Sequence, residues 1–200
     1  MNRGHSAVVR RVPSWCGTGF SRRWRVVRLK PDLRSRVCTV AAAIIAICLA
    51  AGDVLAVDVG DKAPAFTLPT AQGETVSLEK LRGRVVYVDF WASWCGPCRR
   101  SFPWMNEMQQ RYSDRGVTIV AINVDKRRED ADRFLRQYPA SFAVVYDAAG
   151  ATPAAYDVKA MPSSYVVDRD GRIAAIEHGY RDDRGAELDA KIRSMVDARK

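Results

Sequence analysis

From residue 57 onward the chain has little that could hold a metal or staple a fold. Two cysteines, Cys95 and Cys98, and one histidine, His178, are all it offers as thiolate or imidazole ligands. A structural zinc site takes four ligands, so three fall short. A Cu(I) ion on two thiolates and His178 is the metal reading that stays open. A single close cysteine pair also excludes a domain held together by several disulfides. Charge of one sign is missing as well. Of 32 Lys and Arg and 23 Asp and Glu, ten basic and two acidic residues fall in the first 56 positions. The net charge of +9 therefore belongs almost wholly to that segment. The remainder is close to neutral, without the basic excess that phosphate binding needs, so a nucleic-acid role is excluded. Internal repeats and low-complexity tracts are absent.

The first 56 residues read as a leader. Ten basic residues end at Arg36, and an apolar run, "VCTVAAAIIAICLAA", extends from Val37 to Ala51. Its length of 15 residues is short of the about 20 that span a bilayer as a helix. Val54 and Ala56 are small residues around a plausible cut after Ala56. The segment 1–56 is thus an export signal or, uncleaved, an N-terminal membrane anchor. Positive charge before the run places the residues after it outside the cytoplasm. The expected location is the periplasm, with membrane contact only through this segment. "SRRWR" (Ser21 to Arg25) lacks the apolar residue of a twin-arginine signal, and "IAIC" (Ile45 to Cys48) is a poor lipobox.

Residues 57–200 alternate between strand and helix signals. "AFTLPTAQGETVSL" (Ala65 to Leu78) reads as a hairpin around Gln72-Gly73. "RVVYVDFWA" (Arg84 to Ala92) and "GVTIVAINVD" (Gly116 to Asp125) are strands apolar enough to be covered on both faces. Phe102, Met105, Met108 and Tyr112 recur at helical spacing between Pro97 and about Arg115. "REDADRFLRQY" is a further helix, "FAVVYD" a third strand and "TPAAYDV" one helical turn. Two strands joined by "DRDG" (Asp168 to Gly171) and a closing amphipathic helix end the chain. The order βαβαβ and then ββα predicts a mixed central sheet between helices.

The stretch "WASWCGPCRRSFP" (Trp91 to Pro103) carries the chemistry. As a staple a Cys-x-x-Cys bridge closes too small a loop to constrain the unfolded chain. As a redox pair it is well placed. Cys95 falls where a buried strand gives way to a helix, whose free N–H groups favour a thiolate. Gly96 lets the backbone turn, and Pro97 suits an early helical position. Cys95 is then the attacking sulfur and Cys98 the resolving one. Trp94 shields the dithiol and meets substrate. Trp91, Phe90 and Trp104 are core, and Arg99 and Arg100 are solvated.

"VDFWASWCGPC" resembles the active-site strand and helix of thioredoxins. "AYDVKAMPSSYVVDRDGRI" resembles the second thioredoxin signature, which makes Pro162 a cis-proline facing the dithiol and Met161 the residue that offers its backbone to substrate. Pro103 matches the proline that kinks the active-site helix. About 22 residues, Lys126 to Asp147, stand where a minimal thioredoxin has almost none. With the leading hairpin and the leader they make residues 59–198 similar to the TlpA/ResA-like branch, extracytoplasmic disulfide reductases. The resemblance implies a thioredoxin-like three-layer α/β fold with an N-terminal β-hairpin and an αβ insert. It implies a redox-active Cys95–Cys98 disulfide and a protein-disulfide reductase acting through CGPC, with no cofactor. Its partners are protein disulfides and a membrane electron donor of the DsbD or CcdA kind.

Two positions depart from that branch. Ser101 stands where many members carry a Glu tied to cytochrome c maturation. Asp89 stands where they often have Asn, and matches the buried acid of thioredoxins proper, which takes the proton of the resolving cysteine. Ala121 falls where thioredoxins place a Lys beside that acid, so Asp89 is expected without a charge partner. A thiol peroxidase motif needs Thr or Ser three residues before the reactive Cys and Pro seven before; Ala92 and Val88 stand there. A copper-delivery module of this fold is the other alternative, although such modules space their cysteines further apart.

Overall fold

In the computed structural model, residues 57–198 are described. The leader reading, with Cys16, Cys38 and Cys48, lies outside them. A hairpin of β1 (Thr67–Pro69) and β2 (Thr75–Ser77) opens the described chain. Next come β3 (Val85–Trp91), α1 (Cys98–Tyr112), β4 (Val117–Asn123), α2 (Arg128–Gln137), β5 (Ala143–Tyr146) and α3 (Ala151–Ala155). β6 (Ser163–Val167), β7 (Ile173–His178) and α4 (Asp182–Asp197) close it.

The main sheet has the order β5-β4-β3-β6-β7. β3, β4 and β5 run parallel, as strands joined by helical crossovers must. β6 and β7 are antiparallel additions joined by the tight Asp168–Gly171 turn. The three-layer arrangement expected from the sequence is present, leading hairpin and α2–β5 insert included. The long helix ends earlier than its apolar spacing suggests. Residues 113–115 tighten into a 3-10 turn, and Gly116, at φ 86°, closes it in the left-handed region that a side chain would resist.

All seven residues of β3 are buried, which explains why its sequence shows no alternation. Val85, Tyr87 and Trp91 face α1 and α4, in a core with Phe102, Met105, Met108, Leu188, Ile192 and Phe134 of α2. Val86, Val88 and Phe90 face the other way, against Tyr156, Tyr165, Phe66 and Leu78. The segment before the hairpin works as a strap. The Asp61 carbonyl accepts from the Ile173 N–H, and Lys62 bridges to Arg172 just before β7. Further along, Thr70 bridges to Val145 on β5. The strap thus touches both edge strands of the sheet, where unpaired backbone groups invite association.

α4 is fastened to α1 through a buried acid. The Tyr112 hydroxyl donates to Asp189 at 2.7 Å. Arg111 and Arg193, both largely exposed, approach the same carboxylate. Burial alone would raise the Asp189 pKa, but Tyr112, then Arg193 and Arg111, hold it below the ordinary carboxylate range. Tyr112→Phe removes the one fully buried donor. A hydrogen bond to a charged group is worth about 1.5–3 kcal/mol. Thermal melts of the oxidised protein should show the midpoint lowered by roughly 5–10 °C; an unchanged midpoint would show that the two arginines alone anchor α4.

Candidate active site

β3 ends at Trp91 and α1 begins at Cys98, so the intervening residues must be held if the sulfurs are to be. Asp125, just past the end of β4, does this. Its buried carboxylate accepts from the Ser93 N–H at 2.9 Å and the Ser93 hydroxyl at 3.0 Å. Asn123 Nδ2 donates to it at 2.8 Å, which orients the acid in turn. The Val124 N–H donates to the Trp91 carbonyl at 3.0 Å and extends the parallel pairing past the strand ends. Sequence reasoning used "NVD" to place a strand and missed this latch. The signal was there: a polar-x-acid pair ending an otherwise apolar strand has no packing reason to be acidic.

Cys95 and Cys98 form a disulfide, with Cα atoms 5.4 Å apart. Cys95 keeps 3% of its surface and Cys98 none, so an incoming sulfur can reach only Cys95. The Cys98 N–H points at Cys95 Sγ, 3.2 Å away. It is one of the free donors at the start of α1, and it stabilises negative charge on that sulfur. Pro97 has helical backbone angles, φ −61° and ψ −29°, and gives up no needed N–H. Gly96 differs from expectation. Its φ is not in the left-handed region, and a Cβ there would meet nothing within 4 Å. The turn does not require glycine; its missing side chain leaves the ground beside Cys95 clear. Trp94 is 69% exposed, unlike Trp91, Phe90 and the half-buried Trp104, which pack in the core. A pocket of about 230 Å³ opens beside the motif between Ser93, Arg99 and α2 residues Asp130, Arg133 and Phe134.

Strand alternation puts Asp89 on the same face of β3 as Tyr87 and Trp91, the face covered by α1. It is 1% exposed, and its Oδ2 has no hydrogen-bond partner. Its neighbour across the parallel pairing is Ala121, as the "INVD" match predicts, so no cation stands there. Burial, opposed by nothing, pushes the Asp89 pKa well above the carboxylate range. Tyr87 is pushed up too, by burial first and by Asp89 second. Ser101 is buried but turns its hydroxyl to the Cys98 carbonyl at 3.1 Å, and adds no charge.

The Met161–Pro162 peptide bond is cis. Pro162 is buried. Met161 packs against the core cluster that contains both cysteines. His178 does not join them. Its Nδ1 lies 3.2 Å from Ser163 Oγ, and among the described residues no three His, Cys, Asp or Glu side chains cluster as a metal site would require. The Cu(I) reading thus lacks its third ligand.

The raised Asp89 pKa has a sign that stability measurements can check. In the unfolded chain the carboxyl ionises near its ordinary value of about 3.9, while the folded state resists ionisation. Both states are protonated below that value, so the group is then neutral in effect. As pH rises through the window above it, the unfolded state gains and the fold loses stability. Asp89→Asn should therefore raise the melting midpoint of the oxidised protein by several degrees at pH 8 and hardly at all at pH 4. Equal gains at both would mean that burial does not raise the pKa of this carboxyl.

Three comparisons bear on this geometry. The family model described as Redoxin matches residues 58–192. Thiol-disulfide oxidoreductase ResA of Bacillus thuringiensis is 33% identical over 116 residues, which cover 58% of this chain and 67% of that protein. A crystal structure from Chlorobium tepidum, described as a thiol:disulfide interchange protein DsbE, is 48% identical with a TM-score of 0.68, covering 70% of this chain and 99% of that one. The solution structure of a thiol:disulfide interchange protein from a Bacteroides species is 28% identical with a TM-score of 0.64, covering 73% and 95%. The close cysteine pair at a strand–helix junction and these likenesses agree: the chain belongs to the redoxin family and is a thiol–disulfide oxidoreductase of thioredoxin-like fold.

Proposed function

We propose that this enzyme works outside the cytoplasm as a reductant of protein disulfides. The observation that carries the reading is the outer sulfur of Cys95, just before α1, together with a buried acid without a counter-charge on the face of β3 that α1 covers. In the reduced enzyme the Cys95 thiolate attacks one sulfur of a substrate disulfide. A mixed disulfide forms and the substrate's other sulfur leaves as a thiolate. Asp89 takes the Cys98 proton; a carboxyl with raised pKa is suited to this near neutral pH. The Cys98 thiolate then attacks Cys95 Sγ, and the second substrate sulfur leaves. Two electrons have passed to the substrate, and the enzyme holds the Cys95–Cys98 disulfide seen here. Trp94 and the open ground at Gly96 and Pro97 receive the substrate, and the Met161–Pro162 turn pairs with its backbone.

The direction follows from the Gly-Pro dipeptide, shared with thioredoxins, whose potential near about −270 mV makes them reductants. The charged leader and the resemblance to the TlpA/ResA-like branch support residues 57–200 acting in the periplasm, either released or tethered by segment 1–56. There the dithiol needs electrons from a membrane donor of the DsbD or CcdA kind. Among the described residues no helix is long and apolar enough to cross a membrane.

Equilibration with glutathione should give a potential well below about −200 mV, and a value above about −180 mV, the poise of an isomerase, overturns the direction. Cys95→Ser should abolish reduction of insulin. Asp89→Asn should slow turnover about 10- to 100-fold while Cys95 alkylation stays fast, since a lost base acts on resolution; an unslowed variant removes Asp89 from the mechanism.

A further inference from the structure

The carbonyls on either side of Met161 are both tied down. The Ser163 hydroxyl donates to the Ala160 carbonyl at 2.8 Å. The Gly179 N–H donates to the Pro162 carbonyl at 2.7 Å. Met161, between them, has no partner for its own N–H or carbonyl among the described residues. One residue's backbone edge is left open and is aimed from both sides.

Ser163 has one hydroxyl proton, and it points at Ala160. Its oxygen can still accept, and His178 Nδ1 stands 3.2 Å away. Either the hydroxyl turns to Nδ1 and leaves Ala160, or Nδ1 carries a hydrogen and donates it to Ser163; only the second keeps both contacts. The pairing of β6 with β7 sets His178 directly opposite Ser163, so the contact is a cross-strand pair at the site end of the sheet. A hydrogen-bonded chain results: His178 to Ser163 to the Ala160 carbonyl.

We propose that His178 is a positioning residue for substrate. Through Ser163 it fixes the Ala160 carbonyl, and so orients the open edge of Met161 toward the backbone of an incoming disulfide. The proposal rests on the dithiol-exchange reading above, but its chemistry is separable from it. What the clamp needs at position 178 is a donor, not an aromatic ring and not a charge. An asparagine amide can supply an N–H from nearly the place of Nδ1; an aspartate can only accept. Aspartate would draw the Ser163 proton toward itself and release Ala160.

The test is a set of variants in the full chain, assayed for reduction of a synthetic peptide disulfide. His178→Ala and His178→Asp should raise KM about three- to ten-fold with kcat little changed, the loss expected of one hydrogen bond. His178→Asn should stay within about two-fold of the parent, as a single kept bond allows. Ser163→Ala should match His178→Ala, and the double variant should be no worse, because both remove one chain. The reduction potential should be the same in all. An Asn variant as poor as Ala, an Asp variant as good as the parent, or a potential that moves with KM overturns the proposal. Nitrogen-15 shifts of the His178 ring decide it without turnover: Nδ1–H supports the clamp and an Nε2–H tautomer at neutral pH defeats it. A parent enzyme that leaves the peptide unreduced defeats the functional reading, while the ring tautomer still decides the clamp.

Discussion

The site depends on the fixity of one strand. β3 is paired along its length with β4 on one side and β6 on the other, and it is buried on both faces. Such a strand has no freedom to slide, because a shift of one residue would send every side chain to the opposite core. Three working parts are referred to it. Asp89 lies within it. Cys95 lies beyond its end, in a loop latched to Asp125 at the end of β4. Ser163, and with it the Met161–Pro162 turn, is carried by β6, whose register on β3 pairs Phe90 with Ser163. The dithiol, the buried acid and the substrate edge come from three elements, but from one framework.

That framework also explains the electrostatics. A carboxyl in the middle of the central strand cannot be reached by a flexible cation from the surface. The residues beside it are on the neighbouring strands, and Ser164 on β6 carries no charge. The neighbour on β4 is Ala121. The acid is therefore governed by desolvation alone. The other buried acids among the described residues are answered: Asp125 has Ser93 and Asn123, Asp147 accepts the N–H groups of Gly150 and Thr152, and Asp189 has Tyr112. The contrast sets Asp89 apart from the structural acids.

Much of this was legible in the sequence, and for physical reasons. β3 and β4 are continuous apolar runs, and α1 carries Phe102, Met105 and Met108 at helical spacing, because each must cover a wide buried face. The dithiol was legible because so few other ligands exist to compete for the reading. Ala121 was legible through the register that "INVD" implied. The acid of the Ser93–Asp125 latch left a trace at the end of β4, but its partner did not, because Ser93 is 32 residues away and bonds through a backbone N–H as well as a hydroxyl. His178 stood in the sequence only as a candidate copper ligand for the same reason: its cross-strand contact with Ser163 is one that no local pattern records. Gly96 does lie in the turn the sequence suggests, but its φ is outside the left-handed region, which only the backbone shows.

The strap across the sheet has a consequence in time. Residues 60–63 are among the first of the fold to be made, but their partners, Gly171 to Ile173, are among the last. The edge of β7 is closed only when the two ends of the domain meet, a contact of long sequence separation that is slow to form. A chain emerging N-terminus first from a ribosome or a translocation channel has β3, β4 and β5 in hand before β6 can flank them. Until then the β6 side of β3 lies open, an apolar strand edge of the kind that associates with its own copies. Completion of the fold is therefore an act of the whole domain, and a truncation near Gly171 would leave the strap without its anchor as well as the sheet without its last strand.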